Sequence, residues 1–487
     1  MTEFDYDIGV IGGGAAGLTV AAGSARLGAK TLLIEKEKKL GGDCLHYGCV
    51  PSKTLIKSAK VYHLLKNTRR FGLPPVDIPP IDFRSIGKRI QGVIAIIQKH
   101  DSEERFCGLG AKVLFGSPSF TGPHTVDLSG ERISAKTWVI ATGSSADIPH
   151  IKGIEDTPYI TNKEIFSLPQ LPGSIAVLGA GPIAIEMAQA FARLGSKVHV
   201  VQRSSQILSK EDSDIADEVM NILSAEGVIF HLNTSISGVR HIEDTAEISI
   251  KNRDGREDKI RSEKLLIALG RAPNLKGLNL ENAGVEYDKK GVKVDNRLRT
   301  SNRNIYAAGD VTGTYQFTHA AGYEGGIVIS NAVFHLPRKA DYTLLPWCTY
   351  TDPELASIGM NEKRAREAGI DYSIWVEEFK DNDRSLAEGH PAGKIKMILN
   401  EKEKPVGVQI LGMNSGEILN EWVAVLNGGV KLSTLASAIH PYPTSGEINR
   451  RVAGAFLSPK IFSGKIQKGL KFFFNLKGRA CEIDELS

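Results

Sequence analysis

Cys44 and Cys49 are separated by four residues in the segment Gly41-Gly42-Asp43-Cys44-Leu45-His46-Tyr47-Gly48-Cys49-Val50-Pro51-Ser52-Lys53. Gly48 would allow a tight turn between them, and Pro51-Ser52 predicts a helix start. A helix N-terminus close to Cys49 would lower its pKa and favour the thiolate. Three readings fit such a pair: redox chemistry between the thiols, zinc binding, and an inert buried pair. Zinc needs four ligands, and no second closely spaced Cys/His pair completes the set, so no structural metal site is expected. Redox-active and inert readings stay open on the pair alone.

Two glycine-rich units must position that chemistry. The first is Asp7-Ile8-Gly9-Val10-Ile11-Gly12-Gly13-Gly14-Ala15-Ala16-Gly17, followed by an Ala-rich run to Leu27 and an apolar stretch, Thr31 to Ile34, that ends at Glu35. It reads as strand, turn, helix, strand. Gly12 permits the turn, Gly14 lets backbone approach a pyrophosphate, and Gly17 allows close helix packing. The helix N-terminus offers free amides to the phosphates, and Glu35 would accept from a ribose diol. The unit recurs at Ile175-Ala176-Val177-Leu178-Gly179-Ala180-Gly181, with a helix through Leu194 and a strand from Lys197 to Val201. Gln202 takes the place equivalent to Glu35, and Arg203 follows it, with Lys210 as a further cation. A neutral residue and a cation suit the 2′-phosphate of NADPH, with NADH as the alternative; a solvated strand-end charge is the plain reading of Arg203. Each unit also has a later apolar strand ending in a small turn, Val139-Ile140-Ala141-Thr142-Gly143 and Leu266-Ile267-Ala268-Leu269-Gly270-Arg271. Two units imply two dinucleotides bound at once, and hence electron transfer between them. Beside such machinery the redox reading of Cys44 and Cys49 is favoured.

At 487 residues the chain exceeds one ordinary core, and two to four domains are expected. Hydrophobic residues at 41% and charged residues at 24% match a soluble globular protein, and a net charge of +4 argues against a nucleic-acid binder. No apolar run reaches a membrane span. The acidic start leading straight into a strand argues against a signal peptide, and five cysteines do not make a disulfide scaffold, so the cytoplasm is expected.

Gly41 to Lys53 closely resembles the active-site signature of the flavoprotein disulfide reductases, the class I pyridine nucleotide-disulfide oxidoreductases, on their mercuric reductase-like and dihydrolipoyl dehydrogenase-like branch. Tyr306-Ala307-Ala308-Gly309-Asp310 is similar to the second FAD motif of that family, and Thr351-Asp352-Pro353-Glu354 with Ser357-Ile358-Gly359 to the start of its dimerisation domain. The resemblance implies an α/β homodimer with two Rossmann-like domains and a C-terminal α+β domain. Its expected segments are 1–150 (FAD, first part), 151–273 (NAD(P)), 274–344 (FAD, second part), 345–459 (dimerisation) and 460–487 (a basic tail). FAD would lie against Gly12, Gly14, Gly17, Glu35, Gly42, Lys53, Ala141, Thr142, Gly143, Gly309 and Asp310, and NADPH against Gly179, Gly181, Arg203 and Gly270. It further implies that the nicotinamide reduces the flavin, which reduces a Cys44–Cys49 disulfide. Cys49 would be the thiolate against the flavin, Cys44 the exposed thiol that attacks substrate, and Lys53 with Glu186 the ion pair beside the ring. A structural salt bridge is the plainer reading of that pair.

The C-terminal motif, His440-Pro441-Tyr442-Pro443-Thr444-Ser445-Gly446-Glu447, departs from the family pattern. Tyr442 stands where the disulfide-reducing members carry a histidine base, with Glu447 still matching. Tyrosine titrates near pH ~10, so replacement should weaken proton shuttling. His440 would substitute only if the backbone brought it close; a structural or rim role is expected. Tyrosine at this place is similar to the mercuric reductase branch, and thiolates bind soft metals well. The vicinal cysteines of that branch are missing, and near the C-terminus there is only Cys481, read as a spectator or a relay thiol. The acceptor expected is therefore a small disulfide or soft metal, with a lipoyl group as the alternative and a non-turnover redox or metal-binding protein as the reading of another class. Cys107 and Cys348 are expected to be buried and inert. From Lys460 to Arg479 the tail carries lysines and no acid, with Phe462, Ile466, Leu470, Phe473 and Phe474 at roughly helical spacing. It reads either as an aromatic stripe against its own dimer or as a helix making peripheral contact with a membrane.

Overall fold

The structure, a computed structural model, describes residues 3–480. The chain divides into two compact units, one running to Leu345 with Thr349–Thr351, the other taking Pro346–Cys348 and the chain from Asp352 onward.

In the first unit, strands β1 (Tyr6–Ile11), β2 (Thr31–Glu35) and β3 (Ala111–Phe115) lie parallel, and β6 (Glu131–Ile140) and β18 (Ile305–Ala307) continue the sheet on the other side of β1. β4 (Ser119–Gly122) and β5 (Thr125–Leu128) add an antiparallel edge to β6, making seven strands. Parallel strands buried on both faces need near-continuous apolar sequence, and β2 supplies it with Leu32, Leu33 and Ile34 fully buried. Helices α1 (Ala15–Arg26) and α8 (Thr318–Ala332) share one core with this sheet, through Val20, Ala21, Ala321 and Val328. After β2 come α2 (Gly42–His46), the long α3 (Cys49–Lys66), α4 (Phe83–Gln98) and α5 (Glu103–Gly108).

A second parallel sheet orders β10 (Val228–His231), β9 (Lys197–Val201), β8 (Ser174–Leu178) and β14 (Lys264–Ile267), with α6 (Pro182–Leu194) crossing from β8 to β9 and α7 (Ser213–Ala225) preceding β10. An antiparallel meander, β11 (Thr234–Ile242), β12 (Thr245–Asn252) and β13 (Glu257–Ser262), is inserted before β14. On it the carboxylate of Glu247 accepts from Arg240 and Arg261, both at 2.9 Å, and lies 3.1 Å from Lys259. The hydrogen bond from Arg261 leads the effects that bring Glu247 down to a pKa of about 2. The turns that close the two nucleotide units are joined directly, because β7 (Ser144–Ala146) pairs antiparallel with β15 (Arg271–Pro273). A small ribbon of β16 (Tyr287–Asp288) and β17 (Gly291–Val292) precedes β18.

The second unit is built on a five-stranded sheet ordered β19 (Pro346–Thr349), β20 (Glu354–Gly359), β23 (Pro405–Gly412), β22 (Lys394–Asn400) and β21 (Tyr372–Glu378). Its helices are α9 (Glu362–Glu367), α10 (Asp383–Ala387), α11 (Ser415–Gly428), α12 (Leu432–Ser437), α13 (Glu447–Ile461) and α14 (Gly464–Phe474). Trp422 of α11 is fully buried and donates to Asn449 of α13 at 2.7 Å, so the two helices share a satisfied polar contact in their core.

Three local expectations are corrected. The helix after the cysteine pair starts at Cys49 itself, two residues before Pro51, because Gly48 ends the preceding turn. Cys107 is exposed, since α5 turns Phe106 inward and leaves its neighbour outside. Cys348 is half-buried rather than buried. Cys481 lies outside the described residues. No described helix is long and apolar enough to cross a membrane.

Candidate active site

Local backbone chemistry brings the two sulfurs together. Gly41 and Gly42 take φ of 112° and 59°, which only glycine adopts without strain, and so start the short α2 that carries Cys44. A Cβ on Gly48 would lie 3.0 Å from both Cys44 Cα and the Asp43 carbonyl oxygen, so a bare glycine lets the chain fold back. Cys49 is then the first residue of the 18-residue α3. Both thiols are free, and Cys44 is half-buried.

The electrostatics of the pair are asymmetric. The Cys44 thiol hydrogen-bonds to Cys49, and this bond, with the charge of Lys53 and the hydroxyl of Thr318 at 3.6 Å, brings Cys49 down to about 6 against the cost of burial. The same bond and burial push Cys44 far up. Cys49 is thus the thiolate at neutral pH and Cys44 the proton holder. One turn along α3, Lys53 Nζ donates to Glu186 Oε2 of α6 at 2.8 Å. Glu186 is only 4% exposed. Its other oxygen accepts from the Tyr350 backbone N–H at 2.9 Å, and the Tyr350 ring lies 4.4 Å from Lys53 Nζ.

A second polar cluster joins the segment before Cys44 to the second glycine-aspartate motif. Arg271 Nη2 lies 3.0 Å from Asp43 Oδ2, and Arg271 Nε lies 3.7 Å from Asp310 Oδ2. Ser144 Oγ donates to Asp310 at 2.6 Å and accepts from Arg271 Nε at 2.7 Å. Burial raises the Asp310 carboxyl against these partners. The fully buried Glu324 accepts from the Gly309 N–H at 2.5 Å and from the Tyr342 hydroxyl at 2.6 Å, and burial raises it too.

Both glycine loops form cradles. Gly12 has φ of +111°, and a Cβ there would meet the Ala141 carbonyl oxygen at 2.3 Å; Gly179 repeats this with φ of +105° and the Ala268 carbonyl oxygen at 2.4 Å. On Gly17 a Cβ would lie 1.8 Å from the Gly12 carbonyl oxygen, which holds α1 against the loop. Neither Gly14 nor Gly181, the residues capping α1 and α6, offers a side chain to the first amides, which suits a phosphate ligand. Glu35 already accepts from the Gly13 and Glu37 amides, at 2.6 and 2.8 Å. Thr142 and Asn274 exchange two 2.8 Å hydrogen bonds next to Gly143, and Gly270 immediately precedes β15. Arg203 is exposed beyond β9, beside Gln202, which donates to Ser204 at 2.7 Å. The first cradle, continuous with Asp310 and the cysteines, fits a flavin dinucleotide; the second fits a pyridine nucleotide.

In the C-terminal unit Tyr442 and Glu447 line one cleft of about 330 Å³ with Asn382, Asp383, Arg450 and Arg451. The Tyr442 hydroxyl donates to Asp383 Oδ2 at 2.7 Å, and this bond leads the effects that raise its pKa further. Glu447 faces Arg450 at 3.5 Å. His440 is absent from that cleft: its Nε2 lies 2.9 Å from Glu421 Oε1, whose carboxylate also accepts from Asn449 at 2.8 Å.

Sequence reasoning passed over Thr318, Tyr350, Ser144, Glu324, Asp383 and Glu421, each brought in from a distant segment. Arg271 stands in the turn after Gly270, and its permanent charge was the available signal.

Comparison with known proteins agrees with this geometry. The pyridine nucleotide-disulphide oxidoreductase family model matches residues 6–325, and the dimerisation-domain model of the same family matches residues 345–453. The chain is 32% identical to a mercuric reductase of Staphylococcus aureus, over 91% of this chain and 81% of that one. It is 32% identical to a dihydrolipoyl dehydrogenase of Bacillus subtilis (strain 168), over 90% and 96% of the two chains. Among solved structures, the Cu(II) complex of the HOCl-induced flavoprotein disulfide reductase RclA from Escherichia coli superposes with a TM-score of 0.83 at 29% identity, covering 92% of this chain and 99% of that one. A free thiol pair on a helix start, flanked by two glycine cradles and matched along nearly its whole length, places this chain among the pyridine nucleotide-disulphide oxidoreductases, enzymes that work with FAD and a pyridine nucleotide.

Proposed function

We propose that the enzyme passes electrons from NADPH through Cys44 and Cys49 to a soft metal ion or a small disulfide, with the metal as the better-equipped substrate. The observation that carries this reading is the split pair: Cys49 lowered to about 6 beside Lys53, and Cys44 holding the proton. FAD, when bound, would accept a hydride equivalent from the nicotinamide and relay two electrons to the cysteines. Gly12, Gly14, Gly17 and Asp310 would hold it, and Lys53 would stand by its ring with its charge fixed by Glu186. Arg203 would meet the 2′-phosphate of NADPH, a place that Gln202 leaves free of negative charge.

For a disulfide acceptor, Cys44 gives up its proton as it attacks one acceptor sulfur, and the released thiolate takes a proton up. Cys49 then attacks Cys44, freeing the second thiol and leaving a Cys44–Cys49 disulfide. The C-terminal motif would serve the released thiolate, reaching the partner subunit's cysteine pair in a homodimer. Tyr442 serves it poorly, because its proton is held by Asp383 and its pKa is raised. His440 is engaged with Glu421 instead. A soft cation displaces the Cys44 proton as it is bound between the two sulfurs and releases no thiolate that must be protonated. The names of two similar proteins support the choice, one a mercuric reductase and one a flavoprotein disulfide reductase solved as a Cu(II) complex. The second reading, a dihydrolipoyl dehydrogenase, rests on the relative of that name. We place the enzyme in the cytoplasm, where its thiols would stay reduced.

The test is a steady-state panel with NADPH or NADH against Hg²⁺, Cu²⁺, lipoamide, glutathione disulfide and quinones. Metal-dependent NADPH oxidation that vanishes in Cys44→Ser supports the proposal. Lipoamide turnover exceeding metal turnover overturns it in favour of the second reading. Absence of a long-wavelength thiolate–flavin band on anaerobic NADPH titration would remove both.

A further inference from the structure

We infer that α14 is a docking surface for anionic lipid, and that it seats the enzyme on a membrane face without spanning it. The helix runs from Gly464 to Phe474, and none of its residues is buried. Ile466, Leu470 and Phe473 recur at the spacing of one helical stripe, with Phe474 beside them, whereas Lys465, Lys468 and Lys471 fall on the opposite side. An isolated helix of this length is marginal in water, more so with an apolar stripe facing solvent, so it needs a surface to fold against.

Two features point to lipid rather than to a protein groove. The first is charge. From Lys460 to Arg479 the chain carries lysines and arginine with no acid. Among the described residues, Lys465, Lys468 and Lys471 make no ion pair. Such a surface complements anionic headgroups, and the flanking Lys477 and Arg479 extend it. The second is the direction of the aromatics. Phe472, Phe473 and Phe474 are 82%, 78% and 70% exposed. Successive residues turn by about 100° around a helix, so three in a row project to more than one side. A single protein groove covers one stripe, whereas the headgroup boundary surrounds an embedded helix end and accepts rings from several sides.

The test is flotation of the full-length holoenzyme with phosphatidylcholine vesicles, alone or with phosphatidylserine. Flotation with the anionic vesicles only, weakened by salt, is expected. Lys468→Gln with Lys471→Gln should lower the partition by about thirty-fold, and Phe473→Ser with Phe474→Ser should abolish it, both with flavin content and NADPH oxidation unchanged. Failure to float with anionic vesicles overturns the inference, as does equal flotation after truncation at Phe462. Loss of dimer on that truncation, without any vesicle binding, would instead assign the stripe to a second copy of this chain.

Discussion

Replacing Lys53 by Met tests the charge contribution to the low Cys49 pKa, which adds to the leading hydrogen bond from Cys44. Lys53 is four residues beyond Cys49 on α3, and side chains at that spacing lie about 6 Å apart. At an effective dielectric constant of ~20, a cation at that distance favours the thiolate by about 2.8 kcal/mol. The Lys53 side chain is 33% exposed, and solvent screening cuts the figure to roughly half, or about one pH unit. The substitution also leaves the Glu186 anion unpaired nearby, which opposes the thiolate in the same direction. The assay is a pH titration of the long-wavelength thiolate–flavin absorbance in the two-electron-reduced holoenzyme. In the parent the band should be full above pH 7 and fade as pH falls through about 6. In Lys53→Met the midpoint should rise by about one unit, and adding Glu186→Gln should bring it part of the way back. An unmoved midpoint in the single variant would refute the assignment of Lys53 as the charge that holds Cys49 ionised.

Tyr442→His should restore an imidazole to the acceptor side and raise lipoamide or glutathione disulfide turnover by about a hundred-fold, read as kcat/KM, with metal-dependent NADPH oxidation changed far less. Arg271→Leu removes the shared partner of Asp43 and Asp310 and should cost about 3 kcal/mol of stability, with FAD released on gel filtration. Glu247 is lowered to about 2, so its contribution is fully present above the ordinary carboxylate pKa and is lost as pH falls through about 2. Glu247→Gln should therefore lower the melting temperature at pH 7, and the gap from the parent should close as the pH approaches 2.

Both nucleotide units were legible because their glycines meet a backbone requirement that shows in residue type alone, even though the carbonyls that crowd them, Ala141 and Ala268, lie far along the chain. Gly12 and Gly179 must have positive φ and no Cβ whatever else the chain does, and that requirement is written into the sequence at each site. The cysteine pair was legible for the same reason. What escaped is held by long-range partners. Thr318 reaches Cys49 across 269 positions, and Tyr350 meets Glu186 across 164. His440 showed that a motif residue was present, but not that Glu421 rather than the reacting thiols would claim it. Cys107 was misjudged because burial of a small residue depends on which way its helix faces, and α5 is too short to display a period.

Glu186 is tied rigidly to the second glycine cradle. It lies five positions after Gly181 on a single continuous helix, α6, so the nucleotide cradle and the partner of Lys53 are about 7.5 Å apart along one rigid axis. If a phosphate settles at the α6 N-terminus as proposed, any shift of that helix would reach, with no flexible joint between, the Glu186 carboxylate that pairs Lys53. On the proposed function, the reductant site and the cation beside the sulfur would then be read off the same ruler.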